Sequence, residues 1–461
     1  MIKEGGYYKV SGSALLQQKD LRKRGYYVMS TQDDDRGSWG DGRGRGRGRG
    51  WGWGRGRGRG RGRGFASRNS TFNQPHPHPP TQQTQHEPPP QPLGQAIDTI
   101  NAQTILVELN NPTIQDVSYV ASYNWLNTES PSILVPGSPP VWSPPVEDVK
   151  LERDSQDVFR DVNAARYPSY PMEPAARALL AMKPEFKLHS LDVVGCGSTL
   201  GNLLRCAMAE DKPFRFDAML VGETAFFVRR ESSPTLLIPD LNGFGQTFPE
   251  IYTAWDSDVR NSCSHQRIIQ YDLGGLQILI RTETDAYVKK STKKAVSSPA
   301  HPVRSPSLDS TLAGIAVDRP DPSPTQELEI KMQGTVVPQE QIFDIKTRNK
   351  RREYNMDEIL PRLWMNQTSK FLIAYHEFGL FDKPEVVSVK EDVLKWEKAN
   401  SSLLARFHAL VKRIIDAVRD SDHRHFEVSW DGKGPLLVTK QIGEERDALP
   451  PDLVSLWENL N

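Results

Sequence analysis

The chain has 461 residues, with 58 Lys and Arg against 58 Asp and Glu, and 37% of its residues are hydrophobic. Its three cysteines, Cys196, Cys206 and Cys263, form no CxxC pair, which excludes a zinc site and a disulfide framework of the usual spacing. No stretch approaches the roughly 20 apolar residues that span a bilayer. The opening MIKEGGYYKVSGSALLQQKD holds no apolar run long enough for a signal peptide. We therefore expect a soluble, reduced, intracellular protein, nuclear rather than cytoplasmic, with no zinc and no membrane partner.

Residues 1–95 read as a disordered arm. Within it, residues 42–65 are almost pure Arg-Gly repeat: Arg43, Arg45, Arg47, Arg49, Arg55, Arg57, Arg59, Arg61 and Arg63, interrupted by Trp51 and Trp53. Such a segment has too little apolar surface to offset the entropy of ordering. Arginine pairs with phosphate and stacks on bases, and glycine lets the backbone follow an irregular strand, so RNA is the expected partner of the arm. A Gln/His/Pro linker follows over 69–94, and its His76, His78 and His86 read as linker polarity rather than metal ligands.

Residues 96–190 read as an extended lead-in packed on the body. Strands are expected over 104–110 and 118–126, the second anchored by Tyr119, Tyr123 and Trp125. An extended Pro-rich run over 133–145 is expected to be pinned by Trp142. Short helices are expected over 157–166 and 173–182, with Pro174 in the first turn of the second.

The body, 191–461, begins with Gly195, Gly197 and Gly201. Their GxGxxxG spacing misses both phosphate-loop patterns, so we read a turn into a packed helix. Strands follow over 214–231 and 236–240. A loop or helix over 243–256 carries Glu250. A hairpin then turns at 272–275 and ends on Glu283-Thr284-Asp285. Residues 289–324 are rich in Ser, Pro and Lys and read as a disordered insertion. Strands are predicted over 327–334 and 341–347. The next helix places Trp364 and Gln367 at i and i+3, and the strand FLIAYHE comes after it. The spacing of Val393, Trp396, Leu403, Phe407, Leu410, Ile414 and Val418 predicts one helix over 391–419. A hairpin and a short helix over 453–460 close the chain, and His423 and His425 read as surface residues.

Chemistry concentrates on two strands. Glu283 and Asp285 lie two apart, as do Asp344 and Lys346, and side chains at i and i+2 share a strand face. Three carboxylates and an ammonium converging there suit Mg²⁺ or Mn²⁺, which polarises a phosphate and activates water. Lys346 is then placed to orient that water or neutralise developing charge. Glu250 offers a fourth carboxylate and Gln367 a group to position water or phosphate. Glu329 and Lys331 fit the same two-residue spacing, but the Trp/Gln helix follows Asp344 and Lys346 directly, and we prefer that pair. The bland alternative is an ion-paired strand face.

This order is similar to the PD-(D/E)xK nuclease core, and over 243–381 it resembles the decapping exonuclease (DXO/Rai-type) family. That family carries an E-h-D strand, an E-h-K strand and a W-x-x-Q element. Here those resemble Glu283-Thr284-Asp285, Asp344-Ile345-Lys346, and Trp364 with Gln367. Thr284 and Asp344 depart from the pattern. The resemblance implies an α/β (α+β) fold, a mixed β-sheet flanked by helices. It also implies a metal-dependent RNA phosphodiesterase or 5′-end-processing nuclease, with metal at Glu283, Asp285, Asp344 and Glu250, and a partner in RNA processing. A catalytically inactive RNA-binding or scaffold protein on the same fold stays open. The whole chain also resembles a fungal-type group sometimes labelled geranylgeranyl pyrophosphate synthetase. Those all-helical enzymes need paired DDxxD motifs, and the one acidic cluster of that kind, Asp33-Asp34-Asp35, lies in the arm, so we reject that label.

Overall fold

The computed structural model describes residues 92–239, 241–289, 327–443 and 445–458. The Arg-Gly arm, the linker histidines, Asp33-Asp34-Asp35 and nearly all of the expected insertion lie outside them.

In chain order, four strands come first: β1 (Ala96–Ile100), β2 (Ile114–Leu126), β3 (Ser132–Gly137) and β4 (Val141–Trp142). Helices α1 (Val162–Arg166) and α2 (Glu173–Met182) lead to β5 (Val193–Cys196) and α3 (Gly197–Ala207). Next come β6 (Phe214–Val221), β7 (Thr224–Arg229), α4 (Thr247–Tyr252), β8 (Thr253–Ala254), β9 (Ser262–Leu273), β10 (Leu276–Glu283) and β11 (Ala286–Tyr287). Beyond the undescribed stretch lie β12 (Glu329–Gly334), β13 (Ile342–Asn349), α5 (Leu360–Met365), β14 (Lys370–Glu377), β15 (Leu380–Phe381) and β16 (Val387–Ser388). The chain closes with α6 (Lys390–Ala399), α7 (Ser401–Arg419), β17 (His425–Trp430), β18 (Leu436–Lys440) and α8 (Pro451–Glu458).

These strands form two mixed sheets. The larger has eleven strands in the order β1-β18-β17-β6-β7-β5-β10-β9-β2-β3-β12. The smaller runs β15-β14-β13-β11-β4-β8, with β16 also paired to β14. Alternation along the strands sends opposite faces of the large sheet into separate cores. On one face Phe216, Phe227, Ile269, Tyr271 and Ile280 meet Leu203 and Leu204 of α3, Trp364 of α5, Trp396 of α6, and Phe407, Leu410 and Ile414 of α7. On the other face Met219, Phe226, Ile268 and Leu279 meet α2 and α8 through Leu179, Leu453 and Trp457. Each such aliphatic or aromatic side chain contributes roughly 1.5–3 kcal/mol on burial. The small sheet rests on α4 through Phe248 and Tyr252, with Phe343, Ile345 and Leu372 beneath them.

Local chemistry explains most element ends. Gly274 and Gly275, at φ +60 and +93, make the tight turn between β9 and β10. Two consecutive positive φ values are what such a two-residue hairpin turn requires. The long amphipathic run expected over 391–419 is two helices instead. Asn400 (φ −109, ψ 20) turns its side-chain amide back to donate to the Trp396 carbonyl at 2.8 Å. A short amide competing with the helix ladder in this way interrupts it. Two expected strands are also absent. Residues 104–110 form turn and coil, and of 236–240 only Leu237 makes a bridge, to Phe159. Their apolar residues served as propensity without a partner strand. Trp142 is held as expected, stacked at 5.8 Å on Tyr252 and edge-on at 5.8 Å to Phe343.

Candidate functional site

The site lies where the chain crosses from the large sheet to the small one. β10 ends on Glu283, the chain passes over Thr284 and Asp285, and β11 begins at Ala286. β11 runs antiparallel to β13 with Ala286 opposite Phe343. One step further in that register, Asp285 stands opposite Asp344, so the two carboxylates share a face. The Asp285 carboxylate (Oδ2) also accepts the Ile345 backbone N–H at 2.7 Å, the amide between Asp344 and Lys346.

Asp344 is 2% exposed. Its Oδ2 lies 3.2 Å from Nε of Arg362, which α5 brings over the strand. Burial pushes the Asp344 carboxyl up to about 6; Arg362 opposes the shift, Asp285 adds to it and Lys346 opposes it. Arg362 is buried, which by itself lowers its guanidinium, but Asp344, then Asp285 and Glu283 hold it above its ordinary value. Asp344, Asp285 and Glu283 thus all act on Arg362, and Lys346 acts on Asp344. Glu283 also acts on the other side. Tyr123 is pushed up to about 12, mainly by burial, with Arg281 opposing and Asp161 and Glu283 adding. The Tyr123 hydroxyl donates to Asn163 Oδ1 at 2.8 Å, and Arg281 donates to the Pro171 carbonyl at 2.8 Å.

The other expected members stand apart. Glu250, on α4, is raised by burial and by Asp154, and accepts from Gln156 Nε2 at 3.4 Å. Asp154 in turn accepts the Thr247 N–H at 2.9 Å and fixes the start of that helix. Gln367 leaves the helix at φ 52, and its Nε2 donates to the Trp364 carbonyl at 2.5 Å, so its amide closes the end of α5. Glu329 and Lys331 pair with each other at 3.0 Å on β12, the edge strand beside β3. Asp285 thus contacts the strand of Asp344 and Lys346 through the Ile345 N–H, while Glu329 and Lys331 are paired with each other on the edge strand.

Arg362 was not legible as a site residue. It precedes Trp364 by two positions on a helix of ordinary composition, and only the fold turns it onto Asp344. Tyr123 reads from the sequence only as a strand anchor, for the same reason.

The donor chemistry suits a hard divalent cation, but the arrangement does not. Among the described residues, no three His, Cys, Asp or Glu side chains converge closely enough to hold a metal ion. The cation set against Asp344 is the Arg362 guanidinium. As built, the cluster does not fit a carboxylate-caged metal.

Two mixed sheets flanked by helices, with E-x-D where the chain leaves β10 and D-x-K on β13, make the DXO/Rai-type nuclease-like fold. Two solved structures share it. S. pombe Rai1 in complex with 3′-FADP is 11% identical, with a TM-score of 0.50 over 75% of this chain and 99% of that one. Scheffersomyces stipitis Rai1 in complex with (3′-NADP)+ and calcium ion is 11% identical, with a TM-score of 0.51 over 80% of this chain and 99% of that one. Residues 103–434 match the family described as Domain of unknown function (DUF8563), and the chain belongs to that family. No curated protein matches it. Among the described residues, no helix is long and apolar enough to cross a membrane.

Proposed function

We propose that this protein works at the 5′ ends of RNA, as a nuclease-like component of RNA processing. The observation that carries the proposal is the tie between Asp285 and the Asp344–Lys346 strand through the Ile345 N–H, with Arg362 ion-paired to Asp344, at the crossing between the sheets of this fold. The S. pombe and Sch. stipitis Rai1 structures hold nucleotide ligands, which supports a phosphorylated nucleotide end as the ligand here. Lys346 meets a phosphate, and the Arg-Gly repeat offers a second contact for RNA. A protein partner in RNA processing and a nuclear location complete the reading.

Between binding and cleavage, the geometry favours binding. The carboxylates are set around a guanidinium, and we derive no hydrolytic step through a metal. A metal-dependent phosphodiesterase is the second reading, favoured by the donor set of three carboxylates and a lysine and by the calcium ion named in the Sch. stipitis complex.

The test uses fluorescent RNAs bearing 5′-monophosphate, 5′-triphosphate or cap, mixed with purified full-length protein in EDTA, Mg²⁺ or Mn²⁺. Binding in EDTA that weakens with Lys346→Ala, without cleavage in any condition, is the expected result. Cleavage in Mn²⁺ that Lys346→Ala abolishes establishes the second reading. Failure to bind any of the RNAs overturns both.

A further inference from the structure

Resting on the nuclease-like reading of this cluster, we infer that Arg362 is its resident cation: the guanidinium takes the charge-balancing place of a divalent ion and keeps one out. Three observations meet here. Arg362 Nε lies 3.2 Å from the Asp344 carboxylate, inside ordinary ion-pair range. Asp344 is 2% exposed, and its side chain in the pair has 3% of its surface exposed against 23% for Arg362, so this is not a solvated surface contact. No three metal-ligating side chains among the described residues converge enough to form a cage.

The backbone supports the same arrangement. Arg362 rides on α5, whose Leu363, Trp364 and Met365 are all 1% exposed or less. Trp364 is further fixed by its Nε1, which donates to Glu397 Oε2 of α6 at 2.5 Å. The arginine therefore projects from a helix that packing holds in place, and not from a mobile loop. On the opposite side, the Asp285 carboxylate is tied to the Ile345 N–H. Asp285 is thus engaged with backbone and Asp344 with guanidinium. A metal recruiting both has to displace Arg362, and it then leaves a half-buried arginine without its nearest carboxylate. Removing one partner of a buried ion pair in this way is strongly unfavourable. Two unit charges about 4 Å apart repel appreciably even at the effective dielectric of a protein, so the guanidinium also opposes a divalent ion directly.

Mn²⁺ binding tests this, followed by the loss of the free-ion resonance in electron paramagnetic spectra. The protein is full-length and EDTA-treated, and thermal melts run alongside. Wild type is expected to show no saturable Mn²⁺ binding and no Mn²⁺-dependent rise in Tm. Arg362→Met, which keeps the apolar stem, is expected to gain a single saturable Mn²⁺ site and a Mn²⁺-dependent rise in Tm. Adding Asp344→Asn to that variant removes the site, and Arg362→Lys, which keeps the charge, stays like wild type. Saturable binding in wild type that Asp344→Asn abolishes overturns the inference. So does a folded Arg362→Met that gains nothing. Should Arg362→Met fail to fold, the wild-type titration with its Asp344→Asn control decides alone. RNA binding in EDTA is scored separately, so loss of the RNA reading and loss of the resident-cation inference give different results.

Discussion

Asp285 and Ile345 are joined by a single hydrogen bond, 2.7 Å from the Ile345 N–H to the Asp285 carboxylate, and through it the end of the large sheet is fastened to the central strand of the small one. A hydrogen bond to a charged acceptor contributes about 1.5–3 kcal/mol. Asp285→Ala is therefore expected to lower stability by roughly 2 kcal/mol in urea unfolding. Asp285→Asn, which keeps an acceptor oxygen, is expected to cost less than half of that. Equal losses for the two variants count against this contact as the fastening.

The buried Asp344 gives a pH signature. Its carboxyl is raised from 3.8 to about 6, chiefly by burial. A raised carboxyl means that the folded protein holds a proton that the unfolded chain has released, so stability falls as pH rises between those values and is level above them. The Asn variant lacks this titration. The stability of wild type minus that of Asp344→Asn is thus expected to decline from pH 4 to about pH 6 and to stay flat from pH 7 to 8, on the order of 2–3 kcal/mol in all. Calorimetry of the two proteins across that range measures it, and a difference that climbs with pH contradicts the assignment.

Gly137 closes β3 at φ +61, and a Cβ there meets the Asn124 side-chain oxygen at 2.3 Å. Asn124 is occupied: it donates to the Ser138 carbonyl at 2.8 Å and to Ser262 Oγ at 2.8 Å, and its Oδ1 lies 2.6 Å from His265 Nδ1. Gly137→Ala is expected to cost about 2–4 kcal/mol, combining left-handed backbone strain with the loss of that network. A Tm drop of less than a few degrees speaks against so crowded a site.

Trp364 is 1% exposed and sits between Trp396 at 5.7 Å and Phe407 at 6.2 Å. Trp364→Ala is expected to destabilise by about 3–5 kcal/mol. Trp364→Phe keeps most of the packing but strands Glu397, and is expected to cost about 1–2 kcal/mol. Because α5 carries Arg362, both variants are also expected to loosen the cluster, read as increased hydrogen exchange at the Ile345 amide.

The residue pattern made some of this visible in advance. The β9–β10 hairpin, with its Asp-Leu-Gly-Gly turn, and α2, with Pro174 in its first turn, are local features in which pattern and chemistry agree. The two charged pairs were visible because a period of two is enough to put Glu283 with Asp285, and Asp344 with Lys346, on shared faces. The division into two sheets was not, because β2 pairs with β9 and β3 with β12 across long intervals, and no local signal specifies such pairing. Thr104 and its apolar neighbours have the propensity of a strand without an edge to join. Arg362 escaped for the same reason, since its meaning depends on which strand α5 lies over. The spacing around Glu250 likewise gives no sign of its neighbours Asp154 and Gln156.

The path of the chain between its two sheets has a kinetic consequence. β3 belongs to the large sheet and β4 to the small, β10 to the large and β11 to the small, β12 to the large and β13 to the small. Among the described residues the last strand, β18, pairs with the first, β1. Neither sheet can therefore be completed by a continuous piece of polypeptide as it leaves the ribosome. Such non-local pairing slows folding and prolongs the exposure of unpaired strand edges. We expect slow refolding from denaturant and poor recovery of versions cut anywhere between β1 and β18, because each cut separates strands that are neighbours only once the whole chain has been made.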